Sequence, residues 1–248
     1  MNTTSQIAES FAKRRGQIAI LIDPEKAKSQ TELKELIEKA EFAKVDYLFV
    51  GGSTVTREDF VSTVSYLKAH SIIPVIIFPG ASHQISKEAD ALLYLSLISG
   101  RNPDYLIGHH VQSANEVYSM NIEVIPTAYI LIDGGTKSSV AYVSQTTPIP
   151  NDQLSIISNT AKAGILQGKQ LLYLDAGSGA QQTVLPETVR ELSLLNKPIV
   201  IGGGIKTKEK IKELSDAGAN VIVIGNKIEE DMDFLLDIHS FIKESDRN

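Results

Sequence analysis

Two stretches decide the fold: Pro198-Ile-Val-Ile-Gly-Gly-Gly204 and, one amphipathic segment later, Asn220-Val-Ile-Val-Ile-Gly-Asn226. Each is a short apolar run that ends in glycine, the pattern of a strand buried on both faces whose chain must turn sharply at its exit. Working outward, six more such runs precede them, at 17–23, 47–53, 74–80, 91–99, 123–133 and 171–177. Amphipathic patterns lie between: 31–44, where Leu33, Leu36, Ile37 and Ala40 form one apolar stripe, then 57–70, 151–167, 186–196, 207–217 and 231–244. Strand alternating with helix implies right-handed crossovers and a parallel sheet, and eight strands are enough to close a barrel. The expectation is an α/β chain forming a single-domain (β/α)8 TIM barrel over residues 1–248, with an N-terminal helix ahead of the first strand. A chain of 248 residues has the usual length for that architecture.

Two segments depart from the alternation. After the fourth strand, Ser99-Gly-Arg-Asn-Pro103 opens a loop and helix running to about Met120; after the fifth, residues 134–148 read as an inserted hairpin. These insertions, at about 100–120 and 134–150, follow strand ends, which puts them on the catalytic face as binding walls. A surface excursion is the competing reading for the hairpin.

Composition narrows the function classes. The net charge of −6 argues against a broad nucleic-acid footprint, which needs clustered Lys and Arg. A polyanionic small ligand is compatible, provided backbone amides, a few basic side chains or a divalent cation supply local positive charge. With no cysteine, disulfides, thiolate nucleophiles and Cys-ligated zinc are excluded. Residues 1–16 interleave Glu9, Lys13, Arg14 and Arg15 with short apolar side chains, and no apolar run reaches spanning length. The expectation is a soluble, cytoplasmic chain with no nucleic-acid partner and no transmembrane segment.

The candidate chemistry sits at strand ends. Asp23, followed by Pro24, ends the first strand, where one carboxylate oxygen is suited to Mg²⁺ while ligand phosphates complete the shell; a turn carboxylate is the structural alternative. Ser53, ending the second strand, offers a hard oxygen or a helix cap. In Tyr173-Leu-Asp175-Ala-Gly-Ser-Gly179, alternation puts Tyr173 and Asp175 on one face and Leu172 and Leu174 on the other. An inward Asp175 is placed to act as general base toward a bound alcohol, and the Tyr173 ring to face developing positive charge; packing in a barrel layer is the alternative. Gly177-Ser178-Gly179 is expected to offer free amides. Gly202, Gly203, Gly204, Gly225 and Asn226 read as a phosphate cradle after the last two strands, against plain turn chemistry. The five histidines show no metal-ligand spacing, and His109 and His110 are expected to face different ways on a helix. Lys206-Thr-Lys-Glu-Lys210 reads as a solvated helix start. The cradle alone also suits a sugar-phosphate isomerase or lyase, which would want a Lys or a Glu/His pair at strand ends, or a non-catalytic phosphate-ligand-binding protein.

Taken together, Leu21-Ile-Asp-Pro24, Phe49-Val-Gly-Gly-Ser53, Tyr173-Leu-Asp-Ala-Gly-Ser-Gly-Ala180, Val200-Ile-Gly-Gly-Gly-Ile205 and Val223-Ile-Gly-Asn226 resemble the geranylgeranylglyceryl phosphate synthase family. Leu97-Ile-Ser-Gly-Arg-Asn-Pro103, Tyr105-Leu-Ile-Gly-His109 and Pro126-Thr-Ala-Tyr-Ile-Leu-Ile-Asp-Gly-Gly135 resemble its bacterial and archaeal branch. The resemblance implies a Mg²⁺-dependent prenyltransferase that joins the C3 hydroxyl of sn-glycerol 1-phosphate to the geranylgeranyl group of geranylgeranyl diphosphate, an ether-lipid precursor step, in a homo-oligomer. It implies Asp23 and Ser53 as metal ligands. Glycerol phosphate would contact Tyr173, Leu174, Asp175, Ala176, Gly177, Ser178, Gly179, Gly203, Gly204, Gly225 and Asn226, with Asp175 and Tyr173 catalytic. Where many relatives carry Glu, this chain has the shorter Asp175. Arg101 is a candidate diphosphate contact, and the prenyl tail is expected along Phe78, Leu93, Leu95 and Tyr129.

Overall fold

A computed structural model describes residues 6–27 and 29–245. Eight parallel strands close in sequence order: β1 (Gln17–Ile22), β2 (Tyr47–Val50), β3 (Val75–Ile77), β4 (Ala91–Leu97), β5 (Glu123–Leu131), β6 (Leu171–Asp175), β7 (Ile199–Gly202) and β8 (Val221–Ile224), with β8 pairing back to β1. Every strand found falls inside an apolar run read from sequence. The helices are α1 (Gln6–Lys13), α2 (Gln30–Ala43), α3 (Arg57–His70), α4 (His109–Ser119), α5 (Ser139–Val143), α6 (Leu154–Leu166), α7 (Pro186–Ser193), α8 (Lys208–Ala217), α9 (Asn226–Glu230) and α10 (Phe234–Ser245). Side-chain oxygens of Ser29, Thr56 and Thr207 accept N–H bonds at the starts of α2, α3 and α8, which fixes where those helices begin.

Strand alternation splits the apolar side chains into two layers. Leu172 and Leu174 belong to the cluster between barrel and helices, while Leu171 and Tyr173 join Phe49, Ile76 and Val200 in the interior cluster. The expected N-terminal helix, α1, closes the bottom of the barrel. Its Phe11 is fully buried against Tyr47, ring centroids 4.9 Å apart, and the Glu123 carboxylate accepts from the Ile7 and Ala8 N–H groups at 2.7 and 2.9 Å. Burying one such Phe contributes about 1.5–3 kcal/mol.

Three local features depart from expectation. No helix separates β3 from β4: residues 78–90, where the sequence carries no helical pattern, cross as irregular chain and break the general strand–helix alternation. The segment 134–148 is not a hairpin. Ser138 accepts from Ala141 N–H and starts the short helix α5, and the segment touches strand geometry only through an isolated parallel bridge, Ile132 to Ile149. The third is α9, which follows directly on Gly225. The insertion at 100–120 is a five-residue π-helical turn, Asp104–Gly108, running into α4. Among the described residues no helix is long and apolar enough to cross a membrane.

Candidate active site

The C-terminal strand ends open into one cavity of about 300 Å³, a size suited to a small-molecule site. Its most specialised wall follows β7 and β8. Gly203 and Gly204 turn with φ of +83° and +71°, a region L side chains avoid. A Cβ at Gly203 would lie 2.8 Å from the Gly177 backbone, and one at Gly204 2.8 Å from the Gln182 carbonyl. Both positions therefore demand glycine twice over, by conformation and by space. The N–H groups of Gly203, Gly204, Gly225 and Asn226 find no acceptor among the described residues, and all four residues line the cavity. Such unspent backbone donors in a concavity form an anion cradle.

The loop after β6 behaves differently from expectation. Two of its amides are spent inside the protein: Gly177 N–H donates to Asp175 Oδ1 at 2.8 Å, and Gly179 N–H to Asn226 Oδ1 at 2.9 Å. Ser178 Oγ bonds the same Asn226 oxygen at 3.1 Å. Asn226 is thus a strut tying the β6 and β8 loops together, with its own N–H left for a ligand. All of the expected glycerol phosphate contacts line the cavity except Leu174 and Ala176. Leu174 faces the helices by alternation, and Ala176 is turned away, its N–H bonded to Gly202 O at 3.0 Å.

Asp175 is buried at the end of β6. Its Oδ2 accepts from Tyr129 Oη at 2.5 Å, a partner the sequence reading did not assign. Burial pushes its carboxyl above the ordinary value, while the Tyr129 and Gly177 donors pull it back. Tyr173 stacks on Phe78, centroids 4.8 Å apart at 16°, and Tyr129 meets both rings edge-on. Over Gly202 the two candidate catalytic groups come together: a Cβ there would lie 2.9 Å from Tyr173 Oη and 3.4 Å from Asp175 Oδ1. Glycine at 202 keeps this space open, a role that its place at the start of a glycine run conceals.

Asp23 and Ser53 line the cavity on the β1–β2 side. The turn reading of Asp23 is partly right, since its Oδ1 accepts from Glu25 N–H at 3.1 Å. Burial raises its carboxyl, opposed by that N–H and by Lys26. A Cβ at Gly52 would come within 2.8 Å of the same oxygen, so that glycine makes room for the carboxylate. Among the described residues no three His, Asp or Glu side chains gather to cage a metal. One carboxylate and one hydroxyl are nevertheless a fitting donor set for Mg²⁺, which keeps several waters and completes its shell with substrate phosphates.

The remaining wall occupies the place where a β3–β4 helix is missing. There the outer face of β4, with Leu92 and Tyr94, looks across to Tyr105, His109 and Ser113 on the inner face of the π-turn and α4. The spacing 105, 109, 113 was the signal available for that helical face. The expected tail residues Phe78, Leu95 and Tyr129 line the cavity from the interior side, at the barrel mouth, whereas Leu93, deeper on the same face of β4 as Leu95, does not reach it. His110 stacks on Tyr94 at 4.1 Å and donates from Nε2 to Leu95 O at 2.6 Å, pinning α4 to β4. His109 and His110 both reach the cavity rather than opposite sides, because they straddle the inner face of α4. Arg101 stays outside the cavity. Its guanidinium bonds the Gly100 carbonyl at 2.6 Å and stiffens its own loop.

Comparison with known proteins agrees with this geometry. The chain matches the PcrB family over residues 11–243. It is similar to geranylgeranylglyceryl phosphate synthase from Chitinophaga pinensis, 45% identical over 232 residues covering 92% of each chain. The same named enzyme from the archaeon Korarchaeum cryptofilum is 37% identical over 225 residues, 90% of this chain and 92% of the relative. Among solved structures, it superposes on (S)-3-O-geranylgeranylglyceryl phosphate synthase from Thermoplasma acidophilum in complex with substrate sn-glycerol-1-phosphate, with a TM-score of 0.89, 34% identity and 98% of each chain covered. A match running almost end to end, with relatives of this identity, means that the chain belongs to the PcrB family.

Proposed function

We propose that the protein is a Mg²⁺-dependent prenyltransferase that moves a geranylgeranyl group from geranylgeranyl diphosphate to the C3 hydroxyl of sn-glycerol 1-phosphate. The observation that carries this reading is that one cavity holds both a backbone anion cradle and an apolar groove, with a buried carboxylate between them. A monoester phosphate suits the Gly203, Gly204 and Asn226 amides; an isoprenoid tail suits the wall of Leu92, Tyr94 and Tyr105. The similarity to the Thermoplasma acidophilum enzyme supports the identity of the acceptor.

The chemistry is a displacement at an allylic carbon. The C–O bond to diphosphate breaks with its electron pair leaving on the diphosphate, the C3 oxygen forms the new ether bond, and the hydroxyl proton passes to Asp175. Asp23 and Ser53 would hold Mg²⁺, which when bound supplies positive charge to the departing diphosphate oxygens. The stacked Tyr173 and Phe78 rings offer π faces to the cationic carbon as charge develops. Fixing the acceptor by its phosphate, remote from the reacting hydroxyl, turns the encounter into a reaction between neighbours.

The test is an incubation with labelled prenyl diphosphates of several lengths and either enantiomer of glycerol phosphate, with and without Mg²⁺. Ether product from the sn-1 enantiomer, abolished by chelation, is the expected result. Phosphate-ligand binding without product from any prenyl donor would overturn the transferase reading.

A further inference from the structure

We propose that Tyr129 is a positioning residue for the reaction: it holds Asp175 as an aligned hydrogen-bond acceptor where no Lys, Arg or His of the described residues pairs with the carboxylate. This rests on the base role given to Asp175 above and adds what keeps that base usable. The distance of 2.5 Å between Tyr129 Oη and Asp175 Oδ2 is at the short end for an O–H donor facing an ionised oxygen. Tyr129 is itself only 5% exposed and its ring is fixed edge-on to Phe78 and Tyr173, so the hydroxyl has little freedom to leave. Registry places it there: Tyr129 on β5 is the direct neighbour of Tyr173 on β6, two residues before Asp175.

The surroundings of Asp175 give the bond its weight. Tyr129 comes from β5 and Tyr173 from its own strand; β7 contributes Gly202 and the loop beyond β6 contributes the Gly177 N–H. No Lys, Arg or His acts on the carboxylate among the described residues. A buried carboxylate without a cation stays charged only through its hydrogen-bond donors, and there are two. Gly177 engages Oδ1 and Tyr129 engages Oδ2, which leaves one lone-pair direction on each oxygen for the acceptor alcohol. The direction of donation also matters after the proton arrives. Two donors aimed at a neutral acid disfavour it, so the proton is readily released once the product departs. Tyr129 touches the base, not the reacting atoms of either substrate.

The experiment compares wild type, Tyr129→Phe and Asp175→Asn, first confirming for each an unchanged far-ultraviolet circular dichroism spectrum. Carboxyl ¹³C resonances of aspartate-labelled protein are titrated, with Asp175 assigned by its disappearance in Asp175→Asn. Removing the hydroxyl is expected to raise the Asp175 midpoint by about one to two pH units, the usual size for a lost bond to a charged group. The acid limb of kcat should move up by the same amount, leaving kcat about tenfold lower below that limb and partly recovered above it, with KM for glycerol phosphate little changed. An unmoved carboxyl titration in Tyr129→Phe would overturn the inference. Wild-type turnover by Asp175→Asn would instead remove the base role while leaving the titration result standing, so the two failures are distinguishable.

Discussion

The two sides of the cavity are built from opposite materials. The side after β6, β7 and β8 is backbone: amides in glycine-rich turns at close quarters, where a single methyl would strike the 177 or 182 main chain. The side facing β3, β4 and α4 is side chain, a wall of Leu92, Tyr94, Tyr105, His109 and Ser113 standing where the repeat omits a helix. A backbone cradle recognises charge at fixed points and tolerates no bulk. A side-chain groove recognises apolar volume and tolerates change in proportion to the volume altered. In the proposed reaction the first side sets which acceptor binds and the second sets how the donor is held.

The sharpest separation is expected at Asp23, the proposed metal ligand between the two. Asp23→Ala should lower Mg²⁺-dependent turnover by about three orders of magnitude, since one protein carboxylate is asked to hold the ion. The melting profile should remain cooperative. Activity unchanged across a Mg²⁺ titration would detach Asp23 from the metal and leave it a turn carboxylate.

Next comes Gly204→Val. With φ at +71° and the Gln182 carbonyl 2.8 Å from the new Cβ, the β7 turn must rearrange, and glycerol phosphate affinity measured by calorimetry should fall by about a hundredfold. Gly179→Ala is the internal control. Its φ is +73°, yet nothing lies within 4 Å of the added methyl, so only conformational strain of about 1 kcal/mol is expected. Equal losses in both variants would mean that strain, not steric closure of the cradle, governs this side.

Why one side could be read from sequence and the other could not follows from the same contrast. Gly203-Gly204 and Gly225-Asn226 announce a cradle because backbone chemistry needs glycine at the spot where it acts. That Asp23, Asp175 and Tyr173 line the cavity was legible because a barrel strand delivers its last residues to the mouth. The groove depends on something missing, the β3–β4 helix, and on the outer face of β4, which looks from sequence like any helix-covered face. Hence Leu93 was expected in the groove and Leu92 and Tyr94 were not. Leu174 and Ala176 are neighbours in chain but not in the cavity, and Arg101 is a charge near the mouth whose Nη1 is held by the carbonyl of Gly100 in its own loop. Hydrogen bonds across long separations, such as Tyr129 to Asp175, leave no trace in local pattern at all.

The groove can be tested by filling it. Ser113→Phe adds an aromatic ring from the inner face of α4, and KM for the prenyl diphosphate should rise by about tenfold while glycerol phosphate affinity stays as it was. A loss confined to glycerol phosphate would invert the assignment of the two sides.

The smallest effect is expected on stability, and its sign is the informative part. Burial raises the Asp175 carboxyl above its ordinary value of 3.8, so the folded state disfavours its charged form. Stability from this group is therefore fully present below the ordinary carboxylate range and is lost as pH rises through the raised folded value. At neutral pH the carboxylate stands as a net cost that the Tyr129 and Gly177 donors only partly offset. Asp175→Asn keeps the shape and removes the charge, so at pH 7 the melting temperature should rise by a few degrees, with the gain vanishing near pH 4. The cradle glycines carry no such charge, and substitutions there should lower stability at every pH. An Asp175→Asn variant less stable than wild type at pH 7 would mean that its two hydrogen bonds outweigh desolvation, and that the carboxylate helps to hold the barrel mouth together.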